Sequence, residues 1–251
     1  MGVRHGELRV GCSGWSYDDW RGVVYPANLP KTRWFEHYQS LFDTVELNST
    51  FYRLPTATAV ERWEAAARPG FLYAVKLGAF GSHRMKLRDA ERWLPNHLDR
   101  VRRLGDHLGP TLVQLPPRWK RNVERLEEFL GHLPTSMRWA VELRDPSWVH
   151  DDVFDALRRH RVALCLHDLL ADHPIEFTTD WTYVRFHGPD ALADPYRWSY
   201  PDERLIAWAE RLVARLADGD DVYAYFNNDV DAHAVGDAAE LRDRTLALLS
   251  R

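Results

Sequence analysis

Cysteine is nearly absent: Cys12 and Cys165 are the two thiols in 251 residues, and both fall in apolar, strand-like runs. No CxxC pair and no Cys/His cluster accompanies them, which excludes a disulfide scaffold and a zinc site of ordinary ligand spacing. The expectation is two reduced, buried thiols in a cytoplasmic protein. Long hydrophobic runs are missing too; none approaches the roughly 18 residues of a membrane-spanning helix. The opening "MGVRHGELRV" lacks the apolar centre of a secretory leader, so no membrane association is expected. An excess of one charge is also lacking. Lys and Arg number 33 against 37 Asp and Glu, a formal net charge of -4. That excludes a protein that coats nucleic acid through general basicity, though a local basic patch remains open. No Gly-rich phosphate loop, HxH or HExxH motif, low-complexity segment or linker appears. The chain reads as one domain, residues 1–251.

What is present is alternation. Short apolar runs lie near 8–12, 42–47, 71–77, 111–115, 138–143, 162–166, 182–186 and 222–226. Amphipathic helical segments separate most of them. One, "TAVERWEAAARPG", carries Thr58 and Glu61 in capping-box spacing and stops at Pro69-Gly70. Strand–helix alternation implies right-handed crossovers and a parallel sheet. Eight such units in a chain of this size predict an α/β TIM (β/α)8 barrel. A doubly wound open sheet is the alternative. The unit "DLLADHPIEFTTDW", between strands six and seven, shows no helix and is expected to be irregular.

Most strands carry a polar residue where packing alone would place an apolar one. "TVELN", "AVKLG", "LVQLP", "AVELR" and "YVRFH" put Glu46, Lys76, Gln114, Glu142 and Arg185 at equivalent points. A buried charge is expensive unless paired. Side chains alternate across a strand, so Val45 and Leu47 share one face while Glu46 and Asn48 share the other. The same parity adds Ser13 and Trp15, Arg144, His167, His187 and Asn227. In a barrel, strand C-termini converge on one mouth, and active sites are built there. A self-satisfied polar plug of paired charges and water is the bland alternative. Aromatic residues crowd the segments after the strands: Trp15, Tyr17, Trp20, Tyr25, Phe51, Tyr52, Trp119, Trp148, Tyr196, Trp198 and Tyr200. They read either as a stacking rim for sugars or bases or as loop packing.

Taken in order, "GCSGWSYDDWRGVVYP", "VELNSTFYRLP", "LVQLPP", "AVELRDPSW", "YVRFHG" and "YAYFNND" resemble the motifs of the domain-of-unknown-function 72 family, the YecE-like proteins. The match runs from about residue 9 to 249. The resemblance implies a TIM barrel and leaves the reaction open. Relatives commonly show a Thr-His pair in the third-strand loop; Ser82-His83 stands there in this chain.

Three functions compete. In the first, an enzyme binds a small anionic, sugar-like molecule carrying phosphate or carboxylate. Arg144, Arg185 and Lys76 supply cationic donors. Glu46, Glu142, Lys76 and His187 are the catalytic candidates, by acid–base chemistry. Ser13, Trp15, Asn48, Tyr52, His83, Gln114, Arg144, His167, Asp168, Arg185 and Asn227 are the ligand-binding candidates. No cofactor is expected in this reading. The second is a metal-dependent phosphodiesterase or nucleic-acid-binding barrel resembling endonuclease IV, with a divalent metal among Glu46, Glu142, His167, Asp168, His187 and Asp229. Its nucleic-acid side rests on the aromatic rim and on His83, Arg84, Lys86 and Arg88, which also read as a solvated run. The third is a non-catalytic ligand-binding module. Asn228 and Asp229 have a plain alternative as turn and helix-cap residues.

Overall fold

The structure is a computed structural model and describes residues 5–250. The reading of the N-terminal leader and the outer limits of the 1–251 domain therefore fall partly outside the described residues. In chain order the strands are β1 (Leu8–Cys12), β2 (Thr44–Leu47), β3 (Leu72–Lys76), β4 (Leu108–Gln114), β5 (Trp139–Glu142), β6 (Ala163–His167), β7 (Trp181–Phe186) and β8 (Asp221–Phe226). They form one eight-stranded sheet in the order β1-β8-β7-β6-β5-β4-β3-β2. The described pairings are parallel, as in β7 with β8 and β4 with β5. The α-helices are α1 (Trp34–Leu41), α2 (Ser49–Tyr52), α3 (Ala57–Ala66), α4 (Ala90–Val101), α5 (Val123–Gly131), α6 (Asp151–His160), α7 (Asp202–Ala217) and α8 (His233–Leu249). This is the (β/α)8 class that the alternation predicts. The segment between β6 and β7 contains no helix, also as predicted.

The chain divides into two compact units. The first comprises residues 1–46, 167–171 and 180–251; the second comprises 47–166 and 172–179. In the first unit β1, β8 and β7 run in register, with Gly11, Tyr225 and Arg185 level. β2 is tied to β1 through a side chain. The buried Tyr38 hydroxyl accepts from the Cys12 amide at 2.8 Å and donates to the Thr44 carbonyl at 3.0 Å. Gly11 allows this close approach, because a Cβ there would stand 2.3 Å from the Thr44 oxygen. In the second unit β3, β4, β5 and β6 pair consecutively, with Gln114 level with Glu142.

Local chemistry sets the helix ends. In α6 the His150 side chain accepts from the Asp152 amide, acidic residues open the first turn, and Arg158, Arg159 and His160 close the last. Both biases suit the helix dipole. For α3 the predicted cap is off by two residues. Thr56, not Thr58, is the N-cap, and its hydroxyl accepts from the Ala59 amide at 3.2 Å. Thr56 is extended, at φ -70 and ψ 154, so the helix starts at Ala57 and Thr58 lies inside it. Thr56→Ala is expected to lower stability by about 1 kcal/mol. Thr58→Ala should change it much less in the same urea titration; the reverse order would restore the capping box to Thr58.

Both cysteines are free and buried, as expected. Among the described residues no helix is long and apolar enough to cross a membrane.

Candidate functional site

The polar strand positions are inside. Glu46, Glu142, Ser13 and His187 are fully buried, and Arg185, His167, Lys76, Gln114 and Asn227 are buried as well. Two clusters emerge, one in each unit.

In the first unit Glu46 is the hub. One carboxylate oxygen accepts from Ser13 Oγ at 2.7 Å and from Arg185 Nε and Nη2 at 3.2 and 2.9 Å. The other accepts from Tyr183 Oη at 2.6 Å. Each oxygen of Glu46 is thus engaged, and Arg185, only 1% exposed, faces the carboxylate that balances its charge. Tyr183 shares strand parity with Arg185, so alternation would have found it; its aromatic bulk reads as core. Just after β7, His187 Nδ1 lies 2.8 Å from Asp168 Oδ1. The His187 amide donates to both Asp168 oxygens at 3.1 Å. The Tyr200 hydroxyl also donates to Asp168 and receives the Gly188 amide at 2.7 Å. Against a carboxylate, Nδ1 is the donor, and Nε2 is the acceptor whenever the ring is neutral. Gly188 has φ +121, and a Cβ there would lie 2.5 Å from the Arg197 carbonyl. The turn that delivers Tyr200 therefore needs glycine. His167 accepts the Leu169 amide through Nδ1 at 3.1 Å, and its ring stands 6.1 Å from that of His187.

Asp229 follows β8. Burial pushes its carboxyl up to about 8, against the pull of the Tyr17 hydroxyl and Arg185. Its Oδ1 is buried without a hydrogen-bond partner. Asn228 is no helix cap. Its amide donates to the Trp198 carbonyl at 2.8 Å and to Asp237 Oδ2 at 2.7 Å, pinning the loop ahead of α7.

In the second unit Arg144 turns back onto Glu142 through Nε and reaches Gln114 Oε1 through Nη2 at 3.3 Å. Cys165 Sγ lies 3.9 Å from the other Glu142 oxygen. Lys76 Nζ sits 4.5 Å from the centre of the Phe51 ring, and the His83 ring meets the same ring edge-on at 4.9 Å. The His83 imidazolium is disfavoured by burial first, then by Lys76 and Arg144, with Glu142 opposing. The basic run splits accordingly. His83 is half-buried and turned toward these charges, whereas Arg84, Lys86 and Arg88 are exposed.

The aromatic rim is smaller than the sequence suggests. Trp20, Tyr25, Trp119, Trp148 and Tyr200 are buried. Trp20 Nε1 donates to the Asp229 carbonyl at 2.9 Å and Tyr25 Oη to the Trp15 carbonyl at 2.5 Å, so these rings brace loops. Trp15 packs on Phe35 at 4.8 Å. Tyr52, Tyr196 and Trp198 are exposed, and Asn48 and Phe51 are half-buried. Among the described residues, no three His, Cys, Asp or Glu side chains are placed to hold a metal ion.

The chain resembles proteins already grouped together. It is 31% identical over 142 residues to the UPF0759 protein YecE of Escherichia coli K12, a match covering 56% of this chain and 50% of YecE. The chain thus spans half the length of that relative. The UPF0759 protein YunF of Bacillus subtilis matches at 26% over 96% of this chain and 94% of its own. A crystal structure of a DUF72 family protein from Thermotoga maritima MSB8 aligns with TM-score 0.85 and 28% identity, covering 98% of this chain and 100% of that one. A DUF72 family protein from Enterococcus faecalis V583, at 20% identity and TM-score 0.74 over 97% and 96% of the two chains, shares the fold. The family model described as "Protein of unknown function DUF72" matches residues 9–248, and with that extent and this barrel the chain belongs to the DUF72 family.

Proposed function

We propose that this protein is an enzyme that binds a small anionic substrate, phosphorylated or carboxylated and sugar-like, and transforms it by acid–base chemistry at the C-terminal strand ends. The observation that carries the reading is the environment of His83, whose proton is disfavoured in part by Lys76 and Arg144. Burial is the larger cause and Glu142, paired with Arg144, opposes it, so Lys76 is the cation that leaves the field there favourable to an anion. Lys76 supplies a compact ammonium and Arg144 a guanidinium fork suited to phosphate or carboxylate oxygens.

The first unit, taken by itself, holds groups suited to proton transfer. Asp168 orients His187 as a histidine base is held by its carboxylate, with Nε2 as the accepting atom. Asp229, pushed up to about 8, holds a proton at neutral pH and is a candidate acid. Glu46 and Glu142 face arginines in this reading and position Arg185 and Arg144.

The test is ligand-dependent unfolding of chelator-treated protein with inorganic phosphate, sugar phosphates and divalent ions. Phosphate at about 100 times its dissociation constant is expected to add about 2.7 kcal/mol. Lys76→Ala and Arg144→Ala should abolish that gain. Turnover found with any sugar phosphate or carboxylate should be lost in His187→Asn. Stoichiometric tight metal binding with no response to any anion would overturn the proposal and favour the phosphodiesterase reading.

A further inference from the structure

The second unit holds a histidine whose orientation is built into the turn that carries it. The chain leaves β3 through a π-helical turn, Phe80–Arg84, in which the Met85 amide donates to the Phe80 carbonyl at 2.9 Å. Such wide turns are rare and concentrate at functional sites. Gly81 permits this one, because a Cβ there would stand 2.4 Å from the Trp93 ring. The turn buries Ser82 completely and leaves the next residue, His83, half-buried.

Ser82 sets the tautomer of His83. Its Oγ donates to the Gly78 carbonyl at 3.2 Å and lies 3.0 Å from His83 Nδ1. A hydroxyl has one proton, and a carbonyl only accepts. With the Ser82 proton on Gly78, Nδ1–H donates to Oγ and Nε2 is the acceptor of the neutral ring. Phe51 meets the ring edge-on at 4.9 Å and steadies its plane. Among the described residues nothing bonds His83 Nε2, and it is not one of the enclosed polar atoms.

The neighbouring charges keep the ring neutral at neutral pH. Burial first, then Lys76 and Arg144, disfavour its imidazolium, and Glu142 favours it. Lys76 Nζ stands 4.5 Å from the centre of the same Phe51 ring. An anion drawn to Lys76 therefore arrives at the ring that His83 also meets.

We propose that His83, oriented by Ser82, is a catalytic base that takes the proton of a hydroxyl carried by the anion held at Lys76, so that the substrate is a hydroxylated anion. The ligand O–H bond breaks, an N–H bond forms at Nε2, and the electron pair stays on the ligand oxygen near the Lys76 ammonium. Glu142 favours the imidazolium that results. The anion rests on the reading under Proposed function; the roles of His187 and Asp229 are not needed.

Long-range proton–nitrogen NMR of the full chain reads the tautomer and titration of His83, whose signals are those lost in His83→Gln. The Nδ1–H form is expected in the unaltered protein. Ser82→Ala should convert it to the Nε2–H form that free histidine prefers, and Ser82→Thr, which keeps the hydroxyl, should keep Nδ1–H. Sulfate is dianionic across the whole titration and should raise the His83 pKa by about 1 unit. Lys76→Met should remove that response. Glycolate should bind about three- to tenfold more tightly than acetate, the worth of one hydrogen bond. His83→Phe should erase that preference and leave acetate binding in place.

An Nε2–H ring in the unaltered protein would overturn the orientation by Ser82. Sulfate binding that leaves the His83 titration unmoved, or equal affinity for glycolate and acetate, would overturn the base and leave the anion reading standing. No binding of sulfate, phosphate or either carboxylate would overturn the anion reading and the base with it. These outcomes are read on the unaltered protein and hold even if a variant fails to fold.

Discussion

Glu46→Ala is expected to destabilise the protein by about 3–5 kcal/mol, the cost of leaving a buried charge without its partner. Arg185 is 1% exposed and Glu46 fully buried, so water cannot solvate what remains. The substitution also removes the acceptor for the Ser13 and Tyr183 hydroxyls. In a domain of this size that loss corresponds to a fall in Tm of roughly 6–20 °C. The double variant Glu46→Leu with Arg185→Met should recover most of it, because an apolar pair avoids desolvating two ions. A urea titration of Glu46→Leu, Arg185→Met and their double variant closes the cycle. If Glu46→Ala changes stability by less than about 1 kcal/mol, the pair is not the enclosed, mutually dependent unit described above.

The second large effect is a pH dependence that His97 imposes. Burial lowers its pKa from 6.5 to about 4. Between those values the unfolded chain binds a proton that the folded chain refuses. Stability therefore falls as pH drops from 6.5 toward 4, by about 3 kcal/mol for this group at the acid end. His83 is shifted in the same direction. Asp229 acts oppositely. Its folded pKa, about 8, lies above the ordinary 3.8, so its contribution is present at low pH and is lost as pH rises toward 8. Asp145 and Asp152 are shifted down and lose their contribution only as pH falls below the ordinary carboxylate value of 3.8. Because these slopes partly cancel, the informative quantity is the difference between the unaltered protein and His97→Leu. As pH is lowered from 7 to 4.5, that difference should move steadily in favour of the variant. A difference independent of pH across this window would mean that His97 titrates normally and is not the buried neutral ring described here.

Much of the architecture is written in local pattern. Eight short apolar runs with helical periodicity between them require a parallel sheet covered by helices, because each element has an apolar face that only the next layer can bury. Period-two alternation places Glu46 with Asn48, Gln114 with Pro116 and Arg185 with His187, whatever the surroundings. The same rule would have found Tyr183. The α3 cap shows where local reading stops: Thr56 and Thr58 are chemically equal candidates, and the chain direction set before the helix decides between them.

Tertiary structure alone decided the partners. Ser13, Glu46 and Arg185 stand on β1 or just after it, β2 and β7, and no spacing rule joins residues 33 and 139 positions apart. Tyr200 reaches Asp168 from a loop shaped by a glycine. Trp20, Tyr25, Trp119 and Trp148 look like a ligand-stacking rim in sequence, yet they are buried as loop braces. A side chain's type and strand parity are properties of the chain, and the sequence determined those here. Which charge faces which, and which aromatic ring meets solvent, depend on distances closed only when remote segments pack; the tertiary structure decided them.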